Sequence, residues 1–432
     1  MIVDLEYFPC QTICSNKLNL LSPIFFNSTN TANEPTEPAI EPTEPANEPT
    51  EPAIAAELAI AEPVIVSATL VVQLKHLKFE IDKYPYNVCW EQYKRFISPY
   101  ERVHMSRNFK KQSDNIAKII PLSRSYFKMI EMLQDYNLIN YNIPLRTAHL
   151  AEGPGGFIQA LCHKRGWKGD RDMVFGISLN SSVAVPGWKP AMSFLKRFQR
   201  VKLHSGADGT GDLYKIKNID SFVQHVGKQS CQLITSDGGF DFSTDFSNQE
   251  ETCARLIVCE IYCSLRLVAL HGSIICKFFD MQLPITKQLV HCLSYTFNTL
   301  TIVKPCCSRL ANSERYIIAQ DFNGNYLDDI LGILRKLIIN GNIDSNTVIF
   351  NNNFQCSKQI LDMIDAYNES HFKMQISAIQ KCLSLIDKRT PNGLLPSKIL
   401  EDVNHNQIYH SKKWCLKYNV ELNPKCKYNL LI

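Results

Sequence analysis

From Arg146 onward the chain alternates between two hydrophobic rhythms. Short runs rich in β-branched and aromatic residues predict strands: RTAHLAE from Arg146, VFGISL over 174–179, VKLHSG over 201–206, CQLITSD over 231–237, SIICKFF over 273–279, LTIVKP over 300–305 and RYIIAQDF over 315–322. Between them lie stretches with apolar positions three and four residues apart, such as GGFIQALCHKRG, NQEETCARLIVCEIYCSLRLVAL and PITKQLVHCLSYTF, which predict helices. Strand, helix, strand in this order predicts an α/β fold: a doubly wound, mostly parallel seven-stranded sheet covered on both faces. Only residues Cys306 to Glu314 join the last two strands, too few for a helical crossover, so the last strand is expected to run antiparallel. Before the alternation, VVQLKHLKFEI and SYFKMIEMLQDYNLI carry the helical period. After it, ISAIQKCLSLIDK is one of several amphipathic patterns in the C-terminal part.

A repeat interrupts this order near the start. NEPTEPAI, EPTEPA and NEPTEPAI follow one another between Asn33 and Ile54, and proline at that density builds neither helix nor ladder. The expected organisation is an N-terminal segment (1–30), a solvated Pro/Glu linker (31–65), a basic helical region (66–120), the α/β domain (121–322) and a mainly helical C-terminal extension (323–432). The linker changes the meaning of the charge. The whole chain has 46 basic and 42 acidic residues, but eight of the glutamates lie in 31–65, so the remainder is 46 against 34, a net +12. A phosphate-bearing partner fits that balance, as does an ordinary basic surface. Sixteen cysteines are scattered without a CxxC pair, which argues against a zinc site or disulfide framework and for buried thiols in a reducing cytoplasm. No eighteen-residue apolar run is present and MIVDLEYFPCQTIC lacks the features of a secretory signal, so neither a membrane span nor secretion is expected.

The chemistry starts at AEGPGGF (Ala151 to Phe157), where the first strand runs into a glycine-rich turn opening a helix. In a doubly wound sheet this turn borders the ligand crevice, and its glycines permit close approach to bare backbone N–H groups. It is neither a GxxxxGK[ST] loop nor a GxGxxG turn, so on its own it names no ligand.

AEGPGGF resembles the S-adenosylmethionine-binding turn of the FtsJ-type ribose 2′-O-methyltransferases, and more closely that of the Adrift-type mRNA cap methyltransferases. The resemblance covers about residues 120 to 322 and implies a Rossmann-like methyltransferase fold. It implies S-adenosyl-L-methionine as cofactor, held by Glu152, Gly153, Pro154, Gly155, Gly156 and Phe157. SGADGTGDLY is similar to the segment whose aspartate, here Asp212, lies by the adenine. The second strand ends ISLNS without the usual acidic residue, and Asn180 stands in its place. The resemblance further implies a Lys-Asp-Lys-Glu tetrad. SRSYFKMIEM supplies Lys128; LITSDGGFD supplies Asp237, which also borders the cofactor; SIICKFF supplies Lys277 and NSERYIIA supplies Glu314. Singly each residue has an ordinary structural reading, as a snorkelling lysine, a turn cap or a surface ion pair. Together, a lysine inside an apolar strand asks for a purpose.

The reaction explains the residue types. A ribose hydroxyl is a weak nucleophile and a sulfonium methyl is already activated, so a base and alignment are what the protein must provide. Lys277, desolvated and near the second cation Lys128, is expected to have a lowered pKa and to act as base, oriented by Asp237 and Glu314; no metal is required.

Residues 83–128 hold ten cations, at positions 83, 94, 95, 102, 107, 110, 111, 118, 124 and 128, against Glu91, Glu101 and Asp114, suggesting a wall for an RNA backbone. Trp90, Tyr93, Phe96 and Tyr100, and separately Trp188, either stack on a base or cap or form a buried helix face. The expected function is 2′-O-methylation of RNA, with capped mRNA as substrate and other capping or transcription proteins as further partners. The alternatives are ribosomal or transfer RNA as substrate, or a catalytically silent RNA-binding subunit. A host cytoplasm or viral factory, with the nucleus as alternative, fits the Asn- and Ile-rich, repeat-bearing composition of a large DNA virus or a protist. Because a Pro/Glu tract buries little, deletion of residues 1–65 is expected to leave the melting transition and methyl transfer nearly unchanged. A calorimetric scan of the shortened chain checks this, and failure to fold would show that the segment docks.

Overall fold

Seven short runs of mainly buried residues, each bounded by turn chemistry, pair into one sheet in the computed structural model, which describes residues 68–82, 90–105, 113–180, 187–240, 248–350, 357–390 and 394–428. The N-terminal segment and the Pro/Glu linker lie outside the described residues. The strands are β1 (Arg146–Leu150), β2 (Met173–Ile177), β3 (Val201–His204), β4 (Cys231–Ser236), β5 (Val268–Phe279), β6 (Phe297–Val303) and β7 (Glu314–Phe322), in the order β3-β2-β1-β4-β5-β7-β6. The first five run parallel, and β7 lies antiparallel between β5 and β6. The fold class and the direction of the last strand are therefore as the apolar pattern predicts. β5 begins five residues earlier than SIICKFF; exposed Leu270 and the turn-forming His271 break the apolar period there, while Val268 still pairs with Cys231.

Helices cover both faces because the strands alternate buried side chains to either side. One face carries α3 (Ser125–Asp135), α4 (Gly156–Arg165) and α5 (Met192–Arg197), packed on Ile275, Tyr316 and Ile318. The other carries α6 (Ile216–Val226), α7 (Gln249–Leu267), α8 (Pro284–Thr296) and α9 (Leu327–Asn340), packed on Ile274, Cys276, Ile317 and Ala319. Among the described residues no helix is long and apolar enough to cross a membrane.

The flanking segments join this body through buried polar groups. α1 (Ala68–Asp82) and α2 (Trp90–Phe96) form a third apolar cluster with α10 (Lys358–Asp387). Trp90 and Tyr93 are buried in that cluster, and Tyr100 meets the ring of His410. Of the two readings of this aromatic series, the buried helix face holds for Trp90 and Tyr93, while Phe96 and Tyr100 are half-buried. α11 (Ser397–Lys417) lies against α3, where the buried Glu131 carboxylate accepts from Trp414 Nε1 (2.9 Å), Cys306 N (2.5 Å) and Cys307 N (2.9 Å). One side chain thus ties α3, α11 and the β6–β7 connection together. Nearby, Arg315 is fully buried between Asp280 (3.4 Å), Asn368 and His371, and Lys78 of α1 reaches Asp280 at 2.8 Å.

Glu131→Leu would strand three N–H donors in an apolar site, at about 1–3 kcal/mol for each unsatisfied group. The expected loss is about 3 kcal/mol or more of unfolding free energy, read as a lower denaturant midpoint. A loss under about 1 kcal/mol would show that the clamp contributes little.

Candidate active site

The sheet places its chemistry where sequence order reverses. β1 lies between β2 and β4, so a crevice opens beyond their carboxyl ends. Leu150 pairs with Ser236 and Ser236 with Cys276, which brings the Ala151–Gly156 turn, Asp237 and Lys277 side by side. On the antiparallel side Lys277 pairs with Tyr316 and Phe279 with Glu314.

All four tetrad residues meet at this mouth as two ion pairs. Lys277 Nζ lies 3.2 Å from Asp237 Oδ1 and donates to the Asp237 carbonyl at 2.8 Å, while Lys128 Nζ contacts both Glu314 oxygens at 2.6 and 2.7 Å. Their side chains are only 10–13% exposed. Tyr316, absent from the sequence reading, connects the pairs: its hydroxyl donates to Asp237 Oδ1 at 2.7 Å and accepts from Lys128 at 3.3 Å. The period-2 pattern could have found it, because Tyr316 follows Glu314 by two residues.

Electrostatics correct one expectation. Burial works to lower the Lys277 pKa, but the carboxylates of Asp237 and Glu314 outweigh it and raise it above the ordinary lysine value. At rest the amine is held charged. Glu314 is held near 2: burial opposes ionisation, but Lys128, Lys277 and Lys304 overcome it.

The turn is built by close packing. Gly155 has φ +98°, and a Cβ there would meet the Trp188 ring at 3.3 Å. A Cβ on Gly156 would lie 2.2 Å from the hydroxyls of Ser123 and Ser125, so glycine lets α4 start against the turn leading into α3. Pro154 stands between Gly153 and Gly155. Gly153 N donates to Ser178 Oγ at 3.1 Å. Beyond Ser178, Asn180 is exposed and ties the end of β2 to the next loop by donating to Gly209 O and, through its own N–H, to Thr210 O at 2.9 Å. Asp212 closes that loop by accepting from Tyr214 N at 2.9 Å.

Three expectations change here. Phe157 is fully buried against Tyr316, so its side chain belongs to the core. Glu152 turns beneath the sheet mouth, where Thr235 donates to it and His149 lies at 3.3 Å, so its carboxylate does not line the crevice; burial pushes its carboxyl up. Trp188 is buried over Gly155 and Gly176 and offers no open stacking face.

The basic wall changes as well. Lys94 pairs with Glu91, Arg95 lies 3.9 Å from Glu101, Arg102 binds Tyr428 and Asn404, and Lys118 pairs with Glu421. Arg124 donates to the carbonyls of Tyr100, Glu101, His104 and Cys307. Of these cations, Arg102 and Arg124 tie separate segments together, whereas Lys94 is paired within α2 and Arg95 and Lys118 are half-exposed at the surface. Lys83, Arg107, Lys110 and Lys111 lie outside the described residues.

Glu260 is a second residue that the sequence reading missed, although one acid inside LIVCEIYC was a signal. It is fully buried in α7 and accepts from Gly238 N at 3.2 Å, so the 237–238 peptide is gripped by Lys277 from one face and Glu260 from the other. Burial pushes the Glu260 carboxyl up to about 8, against the pull of Lys277 and the Gly238 N–H. A folded-state value above the ordinary 4.5 means that stability is fully present below about pH 4.5 and declines as pH rises through 8. Glu260→Gln keeps an acceptor for Gly238 and cannot ionise. It is expected to melt about 2 °C or more above wild type at pH 9 and equal to it at about pH 4; equal melting at both would refute the assignment.

Residues 121–322 match the family model of the FtsJ-like methyltransferases. A human protein named cap-specific mRNA (nucleoside-2′-O-)-methyltransferase 1 is 28% identical over 258 residues, covering 57% of this chain and 30% of its own length. Proteins of the same name from Trypanosoma brucei brucei and Trypanosoma cruzi are 32% and 30% identical over 180 residues, covering 40% and 41% of this chain and 45% and 48% of their own lengths. The match thus spans less than half the length of these relatives.

Proposed function

We propose that this chain, whose residues 121–322 are an FtsJ-like methyltransferase domain, transfers the methyl group of S-adenosylmethionine to a ribose 2′-hydroxyl of RNA, at the cap-proximal nucleotides of mRNA. The observation that carries the reading is the pair of ion pairs, Lys277–Asp237 and Lys128–Glu314, desolvated at the mouth of the sheet beside the glycine turn. The cap-directed choice rests on the names of the relatives.

The crevice fits the methyl donor. The αL glycine turn at the start of α4 presents main chain, and Asn180 and Asp212 stand on the rim formed by β2 and the 205–212 loop. When bound, S-adenosylmethionine supplies a methyl on a positively charged sulfur, an electrophile that needs no metal or further activation.

The protein's own residues have two tasks. Lys128, fixed by Glu314 and Tyr316, positions the acceptor hydroxyl, since alignment alone contributes much of such a rate. Lys277 accepts the hydroxyl proton, and for that it must first be neutral. Because Asp237 and Glu314 raise its pKa, the neutral fraction is small at pH 7 and grows about tenfold per pH unit until the raised pKa is reached.

The test is single-turnover transfer from labelled cofactor to RNAs that differ only in their 5′ end, with the methyl position located by digestion. The wild-type rate is expected to rise about tenfold per unit between pH 7 and 9. Lys277→Ala and Lys277→Arg are expected to abolish transfer while leaving cofactor affinity unchanged, because a guanidinium does not deprotonate. Near-normal transfer by the arginine variant, or a flat profile, would overturn the base assignment. Equal transfer to uncapped ribosomal or transfer RNA would overturn the cap-directed one, and no transfer to any RNA would leave a silent binding subunit.

A further inference from the structure

Glu314 can serve the site only if its carboxylate faces Lys128, yet it is the first residue of β7, immediately after the chain reverses from β6. Strand pairing with Phe279 fixes its main chain on one side. The other side faces the connection 304–313, which has no regular structure beyond turns.

Two side chains on that connection meet the need. Ser308 is 2% exposed, and its hydroxyl donates to Glu314 Oε1 at 2.7 Å, the same oxygen that Lys128 approaches at 2.6 Å. Lys304, which follows the last residue of β6, donates to the carbonyls of Asn312 (2.7 Å) and Glu314 (2.8 Å) and reaches Ser308 Oγ at 3.4 Å. One amine thus gathers both ends of the connection, and the hydroxyl it supports aims its own proton at the carboxylate. The acceptors of Lys304 are all neutral, so it organises main chain and does not add a third direct ion pair. Lys304 is half-buried, and burial, partly opposed by the charge of Glu314, lowers its pKa to about 7.

We infer that Ser308 and Lys304 are positioning residues that set the Glu314 carboxylate against Lys128. The inference rests on the reading of the site given above, in which Lys128 aligns the acceptor. It assigns to the connection between β6 and β7 a part in the rate that neither residue could have by touching substrate.

The test uses the full chain with Ser308→Ala, Ser308→Thr and Lys304→Met, measuring single-turnover methyl transfer to capped RNA, KM for that RNA, cofactor binding by calorimetry and melting temperature. A hydrogen bond to a charged group is strong enough that Ser308→Ala is expected to lower kcat about ten- to a hundredfold, with KM and cofactor affinity within about twofold. Ser308→Thr restores the hydroxyl and is expected to recover most of the rate. Lys304→Met is expected to fall at least as far as Ser308→Ala. Should it fail to fold, the two serine variants decide the matter. An active wild type with Ser308→Ala within about twofold in kcat, or a threonine variant as impaired as alanine, overturns the positioning role alone. A wild type that transfers no methyl to any RNA overturns the reading beneath it.

Discussion

Two ammonium groups buried at one sheet mouth must each find a carboxylate within a few ångströms, and the architecture around them answers to that requirement. An unpaired buried charge is strongly destabilising, whereas a paired one with its remaining donors satisfied is tolerated. Lys277 stands on β5 among Ile275 and Phe279, and Asp237 reaches it because β4 ends one strand away. Lys128 comes from α3, outside the sheet, and has its partner only because β7 inserts antiparallel beside β5 and begins with Glu314. A β7 slipped by one residue would turn Tyr316 and Glu314 to the opposite face and leave Lys128 without a carboxylate. The short β6–β7 connection, the Glu131 clamp on its first turn and the Arg315 cluster beyond it all restrict that slip.

The glycines serve this arrangement as much as they serve any ligand. Gly156 brings the start of α4 onto the Ser123–Ser125 turn, and so fixes where α3 begins and where Lys128 stands. Gly238 has room only for hydrogen, because a Cβ would lie 2.3 Å from Glu260 Oε1, and its N–H completes the grip on the peptide whose carbonyl receives Lys277. Gly211, with φ +71°, presses within 1.9 Å of Ser178 O if given a Cβ, which joins the loop of Asp212 to the serine that receives Gly153 N–H. A side chain placed at Gly155 would therefore disturb backbone conformation and the Trp188 packing before it met any cofactor, so loss of binding in such a variant would not isolate the ligand contact.

Much of this was legible in the sequence because it depends on period and order. Strand positions and the antiparallel last strand follow from apolar alternation and connection length, which neighbouring residues dictate, and the four charged residues from motifs that resemble those of the FtsJ-type family. What was not legible depends on residues far apart in the chain. Tyr316 and Glu260 left only faint local signals, a period-2 position and one acid in an apolar run, and Ser308 left none; their roles emerge when β5, α7 and the β6–β7 connection are brought together. The raised pKa of Lys277 is of the same kind: burial alone lowers it, and only the distance to two carboxylates reverses the sign.

The charge balance carries the same lesson about what a count means. With the Pro/Glu tract set aside the chain is +12, yet Arg102 and Arg124 are committed to partners on α11 and the β6–β7 connection, Lys94 is paired within α2, and Lys118 is paired with Glu421 at the surface. A cation engaged by a carboxylate and packed between helices releases few counterions on meeting a phosphate, so it adds little to RNA affinity. Its contribution is architectural. Arg124 bonds to the carbonyls of Tyr100, His104 and Cys307, and stands four residues before Lys128. The 100–104 segment and the β6–β7 connection are thereby joined to the start of the helix that delivers the first tetrad lysine, and Trp414 of α11 meets the same helix at Glu131. The 100–104 segment and α11 therefore both meet α3 within one turn of the amine that completes the pair with Glu314.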